Sequence, residues 1–203
     1  MSAPLRVAVL LSGEGTSLEN LFEKIEAGEV PARVELVIAS KADAGGLARA
    51  RRRGVPAFAV PRKQYPDVRA FNDRLHELLA AHPVDLVALL GFLSPFEVRG
   101  YAGRVLNTHP ALVPAFSGKG FYGRRVHEAV LARGCKVSGA TVHLCDDEYD
   151  HGPILLQEAV PVLEGDTPDS LAARVQAAER RLVPEAVRLL AARRNGRNGD
   201  GLK

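Results

Sequence analysis

The sequence predicts an α/β protein with a mostly parallel sheet, helices on both faces and an antiparallel extension in the C-terminal half. The chain has 203 residues, 46% of them hydrophobic, which is enough for one full core. In the first half, apolar runs of strand length alternate with segments of helical periodicity, an order typical of parallel strands joined by helices. In the second half, two longer strand-like runs follow each other directly. We therefore expect one Rossmann-like domain over residues 1–194 and a disordered tail over 195–203.

The first half supplies the parallel strands and the helices that cover them. Continuous apolar runs predict strands at Arg6 to Leu11, Val34 to Ser40, Ala57 to Val60, Val84 to Leu90 and Arg104 to Asn107. Helical periodicity between these runs predicts helices at Ser17 to Ala27, Gly45 to Arg53 and Val68 to His82.

The second half differs in how its strands are connected. A helix at Val126 to Arg133 is followed by strands at Val137 to Cys145 and Ile154 to Val162, joined by the turn Asp146 to Pro153. The final helix spans Thr167 to Arg193, where Pro168 suits the first turn and Pro184 is expected to cause a kink. Beyond Arg194 the sequence is polar and glycine-rich, which predicts disorder.

Composition and charge exclude several kinds of partner. The net charge of +3 is dispersed, and aromatic residues are not interleaved with the basic ones, so we expect no nucleic-acid surface. No apolar run is long enough for a membrane span or a signal peptide, so we expect a soluble, cytoplasmic protein with no membrane partner. Cys135 and Cys145 have neither CxxC spacing nor a nearby His/Cys quartet, so we expect no disulfide framework and no metal site.

A glycine-rich turn follows the first strand, where Ser12 to Leu18 reads SGEGTSL. Backbone N–H groups and the positive end of a helix dipole at such a turn favour an anion such as phosphate, and the hydroxyls of Thr16 and Ser17 lie alongside. Glycine is equally expected here for the geometry of a tight turn alone. The second strand ends in Ser40 and Lys41 rather than in an acid, which argues against NAD.

Three polar residues supply groups that suit acyl or formyl transfer. Asn107 and His109 follow a short apolar strand, and Asp150 comes from a later Gly/Pro turn. Asn107 and His109 share one face if strand geometry continues through them. An amide donor and an imidazolium aimed at one carbonyl oxygen would stabilise a tetrahedral intermediate, and an adjacent carboxylate would favour the charged imidazole as proton carrier. A structural histidine and a turn-forming aspartate are the alternative explanation.

Several strings of the sequence carry a resemblance to a known family. They are VLLSGEGTSLENL, KADAGGLARARRRGVP, VLNTHPALVPAFSGKG and SGATVHLCDDEYDHGPILLQEAVPVLEGDTPDSLAARVQAAE. From Arg6 to about Leu190 the chain resembles the phosphoribosylglycinamide formyltransferase family of folate-dependent enzymes. The resemblance implies the formyltransferase fold and a monomeric or homodimeric enzyme of purine biosynthesis. Its reaction would move the formyl group of the cosubstrate 10-formyltetrahydrofolate to the amine of N1-(5-phosphoribosyl)glycinamide (glycinamide ribonucleotide), with no metal.

The resemblance also implies which residues form the site. Asn107 and His109 would be the catalytic donor and acid/base, and Asp150 would support His109. The ribonucleotide would be bound by Gly15, Thr16, Ser17, Pro110 and Glu179. The folate would be bound by Arg69, Leu93, Asn107, Asp146, Asp147 and Asp150, with the arginine able to meet an anionic glutamyl tail. Thr141 and His143 are expected to support the site structurally.

Two segments depart from the family's pattern. Relatives commonly read GFMRILSP after the fourth strand, whereas this chain has the shorter Gly91 to Pro95, which leaves the pterin contacts, Leu93 in particular, open. The loop Ser117 to Arg125 is longer than in many relatives. It carries Lys119, Tyr122, Arg124 and Arg125. We hypothesise that this basic, glycine-rich loop reaches the phosphorylated substrate.

The sequence alone leaves other functions open. A hydrolase that cleaves 10-formyltetrahydrofolate to formate would use the same three residues with water in place of the amine, but such relatives carry an N-terminal regulatory domain that we do not expect here. Transformylases acting on methionyl-tRNA or sugar nucleotides carry a further domain after the catalytic core, which we do not expect either. A non-catalytic nucleotide-binding module would keep the glycine turn without needing Asn107, His109 and Asp150 together.

Overall fold

The strands form one mixed sheet in the computed structural model, which describes residues 3–146 and 148–199. Over these residues the strands are β1 Leu5–Leu11, β2 Ala32–Ala39, β3 Ala57–Ala59, β4 Leu86–Leu89, β5 Val105–His109, β6 Val137–Leu144 and β7 Ile154–Pro161. Their order across the sheet is β3-β2-β1-β4-β5-β6-β7. The strands from β1 to β5 run parallel, whereas β6 is antiparallel to β5 and β7 is antiparallel to β6. The predicted parallel sheet with its antiparallel extension is confirmed.

The helices lie close to their predicted positions. They are α1 Thr16–Glu26, α2 Gly45–Arg52, α3 Val68–Ala80, α4 Arg124–Ala132 and α5 Pro168–Gly199, with short 3-10 helices at Arg62–Gln64 and Arg99–Tyr101. The last helix differs from its prediction, because it continues past Arg193 through residues 195–199, which we expected to be disordered. That stretch contains no proline that would end a helix. The rest of the predicted tail, residues 200–203, lies outside the described residues.

Apolar side chains cover both faces of the sheet because successive residues of a strand point in opposite directions. In β1, the side chains of Val7, Val9 and Leu11 join a buried cluster with α1, α2, α4 and α5. The intervening Ala8 and Leu10 join a second buried cluster with α3. The helices therefore lie on both faces, as predicted. No helix in the described part of the chain has the length and apolar character needed to cross a lipid bilayer.

Helix α5 runs through Pro184 without ending. Proline has no N–H, so the carbonyl of Arg180, four residues earlier, loses its helical partner. The side chain of Asn20 in α1 replaces that partner, since its Nδ2 donates to the Arg180 carbonyl oxygen at 2.7 Å. The proline thus creates a hydrogen-bonded tie between α5 and α1.

The order of the sheet reverses at β1, which has β2 and β3 on one side and β4 to β7 on the other. At such a switch point, the loops that leave the carboxyl ends of neighbouring strands diverge and open a crevice. The glycine turn after β1, the segment after β4 and the end of β5 therefore meet at one edge of the sheet.

Candidate active site

A cleft of about 960 Å³ opens at the carboxyl ends of β1, β4 and β5. Its walls come from the glycine turn after β1, the segment after β4, the loop before α4, the turn between β6 and β7, and part of α5. Asn107, His109 and Asp150 line it together. Residues from both halves of the chain therefore meet in a cavity of the size that small-molecule sites have.

Asn107 and His109 share one face of β5 because that strand extends to His109 instead of ending at Asn107. The antiparallel register of β6 places His143 opposite Asn107 and Thr141 opposite His109. The Nδ2 atom of Asn107 lies 3.1 Å from Nε2 of His143. Strand pairing thus brings a carboxamide and two imidazoles to one edge of the sheet.

Thr141 and His143 lie behind Asn107 and His109 on β6. The hydroxyl of Thr141 donates to the Ala111 carbonyl at 2.7 Å and accepts the Val113 N–H at 3.0 Å. These bonds fix the chain that leaves β5 just after His109. His143 has only 1% of its surface exposed, so it acts as an inner wall behind Asn107.

Asp150 brings its carboxylate between these side chains. Its Oδ2 lies 3.4 Å from Nδ1 of His109 and accepts the Gly118 N–H at 2.9 Å. Its Oδ1 accepts from Nδ2 of Asn107 at 3.4 Å and lies 3.5 Å from Nε2 of His143. Burial alone would raise the pKa of Asp150, but the hydrogen bond with His143 and the charge of His109 outweigh burial and lower the pKa. The group facing His109 is therefore a carboxylate.

The turn that carries Asp150 is held tightly against the end of β6. Asp150 itself has a left-handed backbone, with φ +54°, which costs a non-glycine residue about 1–2 kcal/mol. The Leu144 N–H donates to the Pro153 carbonyl at 2.9 Å. A Cβ atom at Gly152 would lie 1.9 Å from the Leu144 carbonyl oxygen, so the close approach requires glycine. The Gly-Pro part of the motif thereby sets where the carboxylate lies.

One contact of His109 could not be expected from the sequence. Its Nε2 lies 2.8 Å from the carbonyl oxygen of Phe116, and because a carbonyl only accepts, this nitrogen carries a hydrogen. Phe116 also has a left-handed backbone, with φ +51°. Both ring nitrogens of His109 thus face oxygen atoms, one of Phe116 and one of Asp150. A backbone carbonyl leaves no signal in a side-chain pattern.

The glycine turn forms the end of the cleft beside α1. Gly15, Thr16 and Ser17 line the cleft, and Gly15 precedes α1 with φ +70° and without a side-chain hydrogen bond to the first turn. A Cβ atom at Gly15 would lie 2.7 Å from Cα of Gly46. The steric explanation for glycine therefore holds, and the turn also offers an uncapped helix end of the kind that binds anions.

Pro110 and Glu179 also line the cleft. Glu179 lies on α5 and is half-buried. Some of its surface faces the cleft, yet the surrounding protein displaces most bulk water, and this desolvation raises the pKa of Glu179 to about 7. At neutral pH its carboxyl is divided between protonated and ionised forms, so the groups of a bound ligand would decide its charge.

The residues predicted to bind folate are only partly brought together. Leu93 and Asp146 line the cleft, and 56% of the surface of Leu93 is exposed. Arg69 is exposed in the first turn of α3 and does not line the cleft, although its neighbour Val68 does. Asp147 lies outside the described residues.

The short segment after β4 is anchored to β1. The Leu93 N–H donates to Oγ of Ser12 at 2.8 Å, and that hydroxyl shares a 2.6 Å hydrogen bond with Ser40. The Ser12 N–H donates to the Gly91 carbonyl at 3.0 Å, and both serines are buried. These bonds make the short segment a fixed wall of the cleft.

The loop before α4 forms the rim of the cleft. Lys119, Tyr122 and Arg124 line the cavity. Arg124 forms an ion pair with Asp169, and the Arg125 guanidinium lies over the Tyr122 ring, 5.1 Å from its centroid. Two of the basic residues expected to reach a phosphorylated substrate thus have protein partners.

No metal cluster is found in the part of the chain that the structure describes, and the thiol that lines the cleft is unreactive. Over residues 3–146 and 148–199, no group of three or more His, Cys, Asp or Glu side chains could hold a metal ion. Cys145 lines the cleft, but burial, followed by the charges of Asp150 and Asp146, raises its pKa to about 12. This thiol stays protonated at neutral pH and is a poor nucleophile.

Comparison with known proteins agrees with this geometry. A family model described as formyl transferase matches residues 5–187. The chloroplastic phosphoribosylglycinamide formyltransferase of Arabidopsis thaliana is 42% identical over 186 residues, which are 90% of this chain, and the chain spans 64% of that relative's length. The phosphoribosylglycinamide formyltransferase of Mycobacterium tuberculosis is 43% identical over 94% of this chain and 86% of the relative. The crystal structure of glycinamide ribonucleotide transformylase 1 from Symbiobacterium toebii matches with a TM-score of 0.86 at 44% identity, over 95% of this chain and 90% of that one. The chain belongs to the formyl transferase family.

Proposed function

We propose that this chain is a phosphoribosylglycinamide formyltransferase. It transfers the formyl group of 10-formyltetrahydrofolate to the amine of N1-(5-phosphoribosyl)glycinamide, giving the formylglycinamide ribonucleotide and tetrahydrofolate in purine biosynthesis. The observation that carries the proposal is the convergence of Asn107, His109 and Asp150 in a cleft that ends at an uncapped helix N-terminus. The names of the plant and bacterial relatives support the ribonucleotide as acceptor.

The first step is attack of the ribonucleotide's amine nitrogen on the formyl carbon, which turns the formyl oxygen into an anion. The hydrogen bond from Asn107 to Asp150 is long, at 3.4 Å, so this N–H can turn to the oxygen without loss of a strong bond. Removal of one such donor from a preorganised oxyanion site raises the barrier by about 2.7–4 kcal/mol.

His109 carries the proton between the two nitrogen atoms. As the new C–N bond forms, the amine gives up a proton, and as the bond between the formyl carbon and N10 of the folate breaks, N10 takes one up. His109 moves a proton from the amine to N10, while the Asp150 carboxylate, 3.4 Å away, balances its charge. The protein ends the cycle in its starting protonation state.

The two substrates occupy different sides of the cleft. The ribonucleotide is bound by Gly15, Thr16, Ser17, Pro110 and Glu179, with its phosphate at the N-terminus of α1. The folate is bound by Leu93, Asp146, Asp147, Asn107 and Asp150, with Arg69 near its glutamyl tail. The exposed Leu93 supports the folate assignment, because it offers apolar surface that a pterin can cover.

The remaining parts of the proposal concern the whole protein. Residues 1–194 act as one formyltransferase domain, as a monomer or homodimer in the cytoplasm, with small molecules as partners and with no metal. The continuous sheet from β3 to β7, whose faces are covered by helices from both halves of the chain, supports a single domain.

The deciding experiment incubates the purified protein with 10-formyltetrahydrofolate, with and without the ribonucleotide, and measures tetrahydrofolate and formate in the same samples. We expect tetrahydrofolate only when the ribonucleotide is present, and no formate. Formate release without the ribonucleotide would indicate a hydrolase. Ribonucleotide binding without turnover would indicate a non-catalytic module, and either result would contradict the proposal.

A further inference from the structure

His127 is a buried imidazole with no part in the reaction described above. It lies in α4, has 4% of its surface exposed and lines the cleft. Its Nδ1 is buried and has no hydrogen-bond partner within residues 3–146 and 148–199. An unpaired buried polar atom destabilises the folded state, so a phenylalanine ring would serve packing better. Stability alone therefore does not explain an imidazole at this position.

His127 lies on the same side of the sheet as the ribonucleotide residues. Helix α4 packs against α5, which carries Glu179, and α5 packs against α1, which follows the glycine turn. The folate wall belongs to the other face, because Asn72 of α3 bonds the Pro95 carbonyl at 3.3 Å and the Glu97 N–H at 2.8 Å. A ligand that reaches His127 is therefore the ribonucleotide and not the folate.

The environment of His127 determines which group it can offer. Burial, with a further contribution from the charge of nearby His109, lowers the pKa of His127, so the ring is neutral and has one N–H and one lone pair. Nδ1 is closed off, which leaves Nε2 as the nitrogen available to a ligand. Because an orphaned buried N–H is rarer than an unpaired acceptor, the hydrogen is expected on Nε2. A neutral N–H suits a carbonyl oxygen, whereas a phosphate would favour the charged ring.

We propose that Nε2 of His127 donates a hydrogen bond to the amide carbonyl oxygen of the glycinamide group and so holds the neighbouring amine beside His109. This inference rests on the proposed function, since it names a contact with that ribonucleotide. It makes His127 a specificity residue that distinguishes an amide-bearing amine from phosphoribosyl compounds that lack the amide.

The test uses variants that distinguish the roles of the two ring nitrogens of His127. His127→Phe keeps the ring and removes both nitrogens, whereas His127→Gln keeps an N–H near the position of Nε2. Ser138→Ala is the matched control, because Oγ of Ser138 is also buried without a partner in the described residues, yet Ser138 does not line the cleft. Tm and the KM values for ribonucleotide and folate are measured for each variant.

We expect His127→Phe to keep or raise Tm while KM for the ribonucleotide rises about tenfold, the effect of one lost hydrogen bond, and KM for the folate stays constant. His127→Gln should restore part of the affinity, and Ser138→Ala should change neither KM. An unchanged ribonucleotide KM in His127→Phe, or an equal rise in both KM values, would overturn the inference.

If His127→Phe does not fold, the comparison of His127→Asn with His127→Gln tests the inference. His127→Asn places its amide near Nδ1 instead of Nε2, so its ribonucleotide KM should exceed that of His127→Gln. Equal KM values would overturn the inference. Wild-type protein that does not formylate the ribonucleotide would instead refute the proposed function, and that result is obtained before any variant is compared.

Discussion

The floor of the cleft, formed by Asn107, His109 and Asp150, differs in structure from its exposed rim. On the floor, Asn107 and His109 lie on a strand paired with β6, and His109 is 4% exposed. The rim also includes the exposed side chains of Leu93 and Tyr149, which lie outside helices and strands and are 56% and 64% exposed. Groups that make and break bonds need fixed positions, whereas groups that fit a ligand's shape can lie on loops. The comparison indicates that the two reacting side chains on β5 are held more firmly than the exposed side chains that would cover a ligand.

The largest effect is expected when the floor loses a charge. Asp150→Asn keeps the size of the side chain but removes the carboxylate beside His109, so we expect kcat to fall about 10³-fold, as for loss of general acid–base catalysis, with ribonucleotide KM little changed. Steady-state kinetics with both substrates measures this effect. The control is Asp169→Asn, which removes an exposed carboxylate from the rim. A similar loss of kcat in both variants would mean that the floor is no more important for the reaction than the rim.

A smaller effect is expected when the support of the floor is disturbed. Gly152→Ala places a Cβ atom 1.9 Å from the Leu144 carbonyl oxygen, so the turn that carries Asp150 must move. We expect a loss of about 1–3 kcal/mol in the free energy of unfolding, as for other overpacked sites, measured by urea denaturation, together with reduced kcat. Gly100→Ala is the control, since its Cβ would meet no atom within 4 Å. Equal stability of the two variants would show that the turn is not under this constraint.

The smallest effect is expected at the rim. Leu93→Ala removes exposed apolar surface that the folate would cover, so its KM for 10-formyltetrahydrofolate should rise about fivefold, equivalent to about 1 kcal/mol of apolar contact, without a change in kcat. Leu163→Ala removes a leucine that is similarly exposed, at 53%, but does not line the cleft. A loss of kcat in Leu93→Ala would mean that Leu93 affects the reaction itself, as the residues of the floor do.

The sequence predicts the floor better than the rim, for a physical reason. Strand register follows from apolar runs, so Asn107 and His109 could be assigned to one face, and the Gly-Pro turn marked Asp150 as a candidate. The contact between His109 and the Phe116 carbonyl could not be predicted, because it depends on a left-handed backbone at a residue that rarely adopts it.

The position of Arg69 illustrates the limit at the rim. The sequence places it correctly at the start of α3, but the rotation of that helix about its axis decides which side chains reach the cleft, and Val68 lines the cleft instead. That rotation is set by the packing of Phe71 and Leu75 against the sheet. Similarly, the polar composition after Arg194 suggested disorder, whereas the helix continues to Gly199 over a stretch that contains no proline.

The hydrogen bond that Asn20 donates to the Arg180 carbonyl joins the two ends of the proposed ribonucleotide site. It joins α1, which begins at the glycine turn, to α5 at the residue next to Glu179. The two places proposed for the ends of the ribonucleotide are therefore linked by a direct contact between α1 and α5. The link depends on Pro184, which leaves the Arg180 carbonyl without its helical partner and so free to accept from Asn20.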